Sequence, residues 1–158
     1  IEQNPIIDPQ VRQYDEQVEM LIKWLLGNHL DFDFVDEAAA VNLQARVGAD
    51  SQGAYLQVGQ MAYRAVLVPP LITLRETTLK LLERFVQQGG KVVFAGPAPT
   101  HMEALPSAKP AAFAADKKQI PLICSRYMSL QCVPSLNEIL DYMSVRTYDT
   151  AAMSGLET

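Results

Sequence analysis

The densest acidic cluster in the sequence is Asp31, Asp33, Asp36 and Glu37. On an extended strand, residues two apart share a face, which places the Asp31 and Asp33 carboxylates about 7 Å from each other. That separation suits inverting glycoside hydrolysis, in which one carboxyl group protonates the leaving oxygen while the other activates water. Nothing else in the segment builds a sugar cleft, and the 158 residues fall short of the roughly 250 of a catalytic (β/α)8 barrel. A solvated edge strand followed by a helix cap is the favoured reading of the four acids. Calcium is disfavoured as well, because the glycine and terminal glutamate of a calcium-binding loop are missing.

Other residues with chemistry in them are sparse. His29 follows a helix end, where a cation is mildly favoured by the last carbonyls. His101, beside Thr100, lies in the loop after an apolar strand, and open α/β sheets place ligands beyond the carboxyl ends of their strands. Thr100 and His101 are therefore the candidate ligand-facing residues, with Pro69 to Thr73 as the companion loop. No residue is assigned a catalytic, cofactor-binding or metal-ligating role. No Cys/His spacing suits zinc, and no G-x-G-x-x-G or Walker-type loop is present. A phosphate site needs converging backbone N–H groups, which Pro69, Pro70, Pro97 and Pro99 do not have. Cys124 and Cys132 read as free buried thiols in preference to a disulfide, which leaves the compartment open. Trp24 reads as core or interdomain packing ahead of a sugar platform.

The bulk properties set the frame for these groups. Apolar residues make up 49% and charged residues 20% of the chain, the balance of a globular domain and of neither a disordered tail nor a membrane protein. No apolar stretch approaches the roughly 20 residues of a membrane-spanning helix. A net charge of −5, with Lys and Arg scattered, makes nucleic acid an unfavourable partner. Ile1 in place of Met, and the unpatterned residues Thr150 to Thr158, lead us to expect a piece of a larger protein, with one domain over 1–149 and a linker or the start of a following domain over 150–158.

Asp8 followed by Pro9 is a helix start, since the carboxylate accepts exposed N–H groups and proline suits the first helical position. Val11, Tyr14, Val18, Leu21, Ile22 and Leu25 then form one stripe until Gly27 and Asn28. Leu30 to Val35 alternates as an edge strand, and Asp36 caps a short helix through about Arg46. Gly48 to Gly53 is a turn-rich break, and Ala54 to Val58 is a small strand or one arm of a hairpin. Arg64 to Val68 is a strand, apolar after its first residue and stopped by Pro69 and Pro70. Thr73 and Glu76 have capping-box spacing ahead of a helix with Leu74, Leu81, Leu82, Phe85 and Val86 as its buried stripe. Gly89 and Gly90 end that helix, and Lys91 to Gly96 is a second apolar strand. Strand, helix and strand make a right-handed βαβ unit, and runs without alternation place both strands inside a parallel sheet. Beyond Pro97, a helix turn is expected around Ala111 to Lys118, strands at Pro121 to Cys124 and Val145 to Tyr148, and a closing helix from Ser135 through Met143.

The blocks VLVPP, TLRETTLKLLERFVQQGG and KVVFAGPAP, preceded by AYLQVGQMAYRA, resemble the amidotransferase-like middle domain of large glycoside hydrolases. These include family 42 β-galactosidases and the α-L-rhamnosidase-like proteins of family 106. The resemblance runs over roughly 8–99. It implies a flavodoxin-like three-layer α/β sandwich with a mostly parallel central sheet, lying beside a catalytic barrel without doing glycoside chemistry itself. It also implies other domains of the same chain as partners, a homo-oligomer, no cofactor, and a periplasmic or secreted parent. One departure is that the family begins with an apolar strand, for which Ile1 to Ile7 is a poor substitute. Either these residues supply a degraded strand or the first strand lies upstream.

True class I glutamine amidotransferases carry a cysteine on the turn after the strand matching KVVFAG. Here that turn reads Gly96, Pro97, Ala98, Pro99, with neither thiol nor hydroxyl. A non-catalytic accessory domain is therefore expected, with a small-molecule binding module for a sugar or nucleotide as the alternative.

Overall fold

A computed structural model of the chain describes residues 8–120. The expected elements at Ile1 to Ile7, Pro121 to Cys124, Ser135 to Met143 and Val145 to Tyr148, the two cysteines and the 150–158 segment lie outside the described residues.

The protein is mixed α/β. Helix α1 (Pro9–Gly27) opens it, followed by the short α2 (Glu37–Asn42). Strands β1 (Arg46–Asp50), β2 (Gly53–Val58) and β3 (Met61–Tyr63) form an antiparallel meander. Next come β4 (Ala65–Val68), β5 (Thr73–Leu74), α3 (Glu76–Gln87) and β6 (Lys91–Ala95). The described chain closes with β7 (His101–Met102), β8 (Leu105–Pro106), α4 (Lys109–Ala114) and β9 (Lys118–Ile120).

The expected βαβ unit is present. β4 and β6 run parallel with Val66 opposite Val92 and Leu67 opposite Val93, and β9 joins the far side of β6 in the order β4-β6-β9. Among the described residues β6 is flanked on both sides, by β4 and β9. Side chains of β6 alternate between two cores, as the pleat requires. Val92 and Phe94 join Leu81, Leu82 and Phe85 of α3, while Val93 and Ala95 join Leu21 and Leu25 of α1. Helices thus cover both faces, which is why these strands carry no polar side. Ala54, Leu56 and Val58 of the meander complete the α3 core.

Local signals account for the helix ends. Asp8 Oδ1 accepts from Gln10 N at 2.8 Å, and Asp36 Oδ1 accepts from Ala38 N at 2.6 Å. At the far end of α3, Gly89 takes φ +88, and the N–H groups of Gly89 and Gly90 return to the carbonyls of Val86 and Phe85 at 2.9 and 2.8 Å. This is a Schellman stop, placed where the paired glycines predict it. The buried line of α1 is Gln17, Leu21 and Leu25, whereas Val11, expected in the stripe, is exposed.

Several expectations need correction. Leu30 to Val35 forms no strand among the described residues; Leu30 and Phe32 pack on the α1 core while Phe34 is exposed. α2 ends at Asn42, and Arg46 begins a strand. Gly48 lies inside β1, opposite Tyr55, whose ring occupies the space a Cβ would need. The turn is confined to Ser51 and Gln52, with Arg64 reaching back to Asp50 through two hydrogen bonds of 2.9 and 2.7 Å. The helix turn expected at Ala111 to Lys118 is α4, which starts earlier and gives way to β9.

Candidate functional site

The carboxyl end of the parallel sheet is built from the loop after β4, the first turn of α3 and the segment after β6. Pro70 and Gly96 are both buried, and they meet directly. A Cβ on Gly96, which holds φ +105, would lie 2.8 Å from Pro70 Cγ. Pro99, three residues beyond Gly96, is fully buried. The corner where ligands usually sit in such sheets is occupied by the Pro70 ring packed on Gly96.

The expected capping box does not form. Thr73 and Leu74 are drawn into β5, which pairs in parallel with β7, so Thr73 Oγ1 accepts from Ala104 N at 3.0 Å. The N-cap of α3 is Arg75, and its side chain makes no cap. Two distant carboxylates take over that role. Glu37 Oε2 accepts from Arg75 N at 2.8 Å, and Glu103 Oε1 accepts from Glu76 N at 3.0 Å. Acidic groups at a helix head satisfy N–H groups that have no intrahelical partner and complement the dipole there. Sequence reading missed both, because the partners stand 38 and 27 residues apart and no local spacing marks them. Glu76 itself pairs with Lys80 at 3.1 Å; the hydrogen bond from that ammonium, with the charges of Lys80 and Lys109, lowers its carboxyl pKa.

Thr100 and His101 do lie beside this corner. Both donate their backbone N–H to Ile72 O, at 3.2 and 3.1 Å, and Thr100 Oγ1 sits 2.8 Å from His101 Nδ1. The pair faces partly outward, with Thr100 exposed and His101 half-buried. Neither lines either of two shallow clefts. One, of about 120 Å³, lies between α2 and α3 near Ala40, Thr78, Leu81 and Arg84. The other, of about 360 Å³, lies between α3 and α4 near Leu79, Lys80, Lys109 and Phe113.

The acidic cluster is dispersed over structural tasks. Asp33 Oδ2 accepts from Tyr63 OH at 2.7 Å, Asp36 caps α2, and Glu37 caps α3. Among the described residues no group of three or more His, Cys, Asp or Glu side chains is arranged to hold a metal ion. His29 takes φ 55 just past α1, its N–H returning to Leu26 O at 3.0 Å, which makes it part of that helix stop. Trp24 packs against the α1 core. No described helix is long and apolar enough to cross a membrane.

Desolvation, then the hydrogen bond to Asp33 and the charges of Asp33 and Asp31, pushes the Tyr63 phenol up to about 12 from 10.0. A raised phenol pKa means the folded state holds its proton longer than the unfolded chain does. The resulting stabilisation is complete below pH 10 and is lost as pH rises from about 10 to 12. Ultraviolet titration should show a late tyrosinate step near 12 for Tyr63, which Tyr63→Phe removes and Asp33→Asn moves down.

Comparison with protein-family models, with curated proteins and with solved structures finds no match to this chain.

Proposed function

We propose that this chain is a non-catalytic, flavodoxin-like accessory domain of a larger glycoside-hydrolase-type protein, packing against neighbouring domains of that protein or against further copies. The observation that carries this reading is the filled carboxyl-end corner. Pro70 rests on Gly96, Pro99 is buried, and the Arg75 and Glu76 N–H groups are taken by Glu37 and Glu103. A nucleophile elbow needs a thiol or hydroxyl on this turn, and an anion site needs free N–H groups there. The parent assignment rests on the β4–α3–β6 resemblance. Purified chain is expected to release no glutamate from glutamine and no aryl alcohol from aryl glycosides; turnover of either would overturn the reading.

The small-molecule module is the second reading, favoured by the outward-facing Thr100–His101 pair. Thermal-shift screening against sugars and nucleotides separates the two. The accessory domain predicts no ligand-dependent shift, whereas a shift abolished by Thr100→Ala and His101→Ala would favour the module.

A further inference from the structure

Pro99 and Pro110 are both fully buried, yet no residue between them is. The intervening chain doubles back as β7 and β8 through the two-residue turn Glu103–Ala104. Such turns require positive φ at both positions and favour asparagine and glycine. Here glutamate and alanine take φ 51 and 64, a left-handed conformation that side chains with a Cβ resist. Hydrogen bonds oppose that strain with little apolar burial to support them, Met102 being only half-buried and Leu105 exposed. Thr100 N and His101 N bond Ile72 O, Glu103 N bonds Leu74 O at 3.2 Å, and Ala104 N bonds Thr73 Oγ1. The Glu103 carboxylate adds the latch on Glu76 N. Segments held by exposed hydrogen bonds and few buried contacts open at free energies well below that of the whole domain, and backbone strain concentrates where a structure switches.

We infer that residues 100–109 are a strap, anchored at Pro99 and Pro110, that opens as a unit while the parallel sheet stays folded. Opening releases the Glu76 N–H and the backbone edge of Thr73–Leu74, uncovering the head of α3. The device shares with the accessory-domain reading the closed corner, in which Glu103 is the latch, but its test reads local opening and not turnover or ligand binding, so either can fail without the other.

Residue-resolved hydrogen exchange on the whole chain tests it. The amides of Glu76, Thr100, His101, Glu103, Ala104 and Ser107 should exchange together, at least about a hundredfold faster than those of Val92 to Phe94. Ala104→Gly relieves the closed form and should slow strap exchange by about fivefold. Glu103→Ala removes the latch and should speed it by about fivefold, with Glu103→Gln, which keeps an acceptor oxygen, in between. Strap amides exchanging in step with β6 would overturn the inference, as would an Ala104→Gly chain whose strap exchanges no more slowly than the original. The glycine variant decides the matter alone if Glu103→Ala fails to fold.

Discussion

Phe85→Ala is expected to lower the unfolding free energy by about 3–5 kcal/mol, the usual cost of emptying a fully buried aromatic site. Phe85 has no exposed surface and belongs to the core shared by α3, Val92 and Phe94 of β6, and the meander. Its ring also fills the space where a Cβ on Gly90 would stand. The cluster draws side chains from β2, β4, β6 and α4 as well as α3, so the site has little freedom to collapse around a cavity. Urea unfolding followed by circular dichroism measures the loss, and a change below about 1 kcal/mol would show that the α3 face is not the packed core described.

Gly96→Ala is the second large effect, for a different reason. Gly96 holds φ +105, and an added methyl would stand 2.8 Å from Pro70 Cγ. Backbone strain and overpacking of a rigid ring act together, for a combined loss of about 2–5 kcal/mol. Because the clash is with Pro70, the double variant Pro70→Ala, Gly96→Ala should recover the steric part and leave the conformational part. Denaturation midpoints of the two single variants and the double variant form a cycle that isolates the contact. Additive behaviour would mean that the two residues do not touch.

The elements legible in the sequence are those whose signal is local. The β4–α3–β6 unit declares itself because both strands are covered on both faces, so Ala65 to Val68 and Val92 to Ala95 run without polar interruption, and because Gly89 and Gly90 stop the helix between them. Asp8 and Asp36 likewise act on N–H groups two or three residues away. What misled were signals that distant partners reassign. Thr73 has the spacing of a capping residue, but pairing of β5 with β7 takes it out of the helix and hands the cap to Glu37 and Glu103. Gly48 reads as a break until the Tyr55 ring of the facing strand is laid over it. Leu30 to Val35 alternates like a strand and packs Leu30 and Phe32 inward, yet no described strand pairs with it. At the candidate site, position was legible and occupancy was not. The prolines of the two loops are visible in the sequence, whereas the carboxylates that close the helix head come from remote segments.

The most direct trial of the filled corner is a titration of isotopically labelled chain with inorganic phosphate, AMP, FMN and galactose, following the amides of Leu71, Arg75, Glu76, Thr100 and His101. With the Pro70 ring and the protein's own acids in possession of the space, those resonances should stay in place up to millimolar ligand. A saturable displacement confined to them would mean that the pocket is open to guests and that the account is wrong.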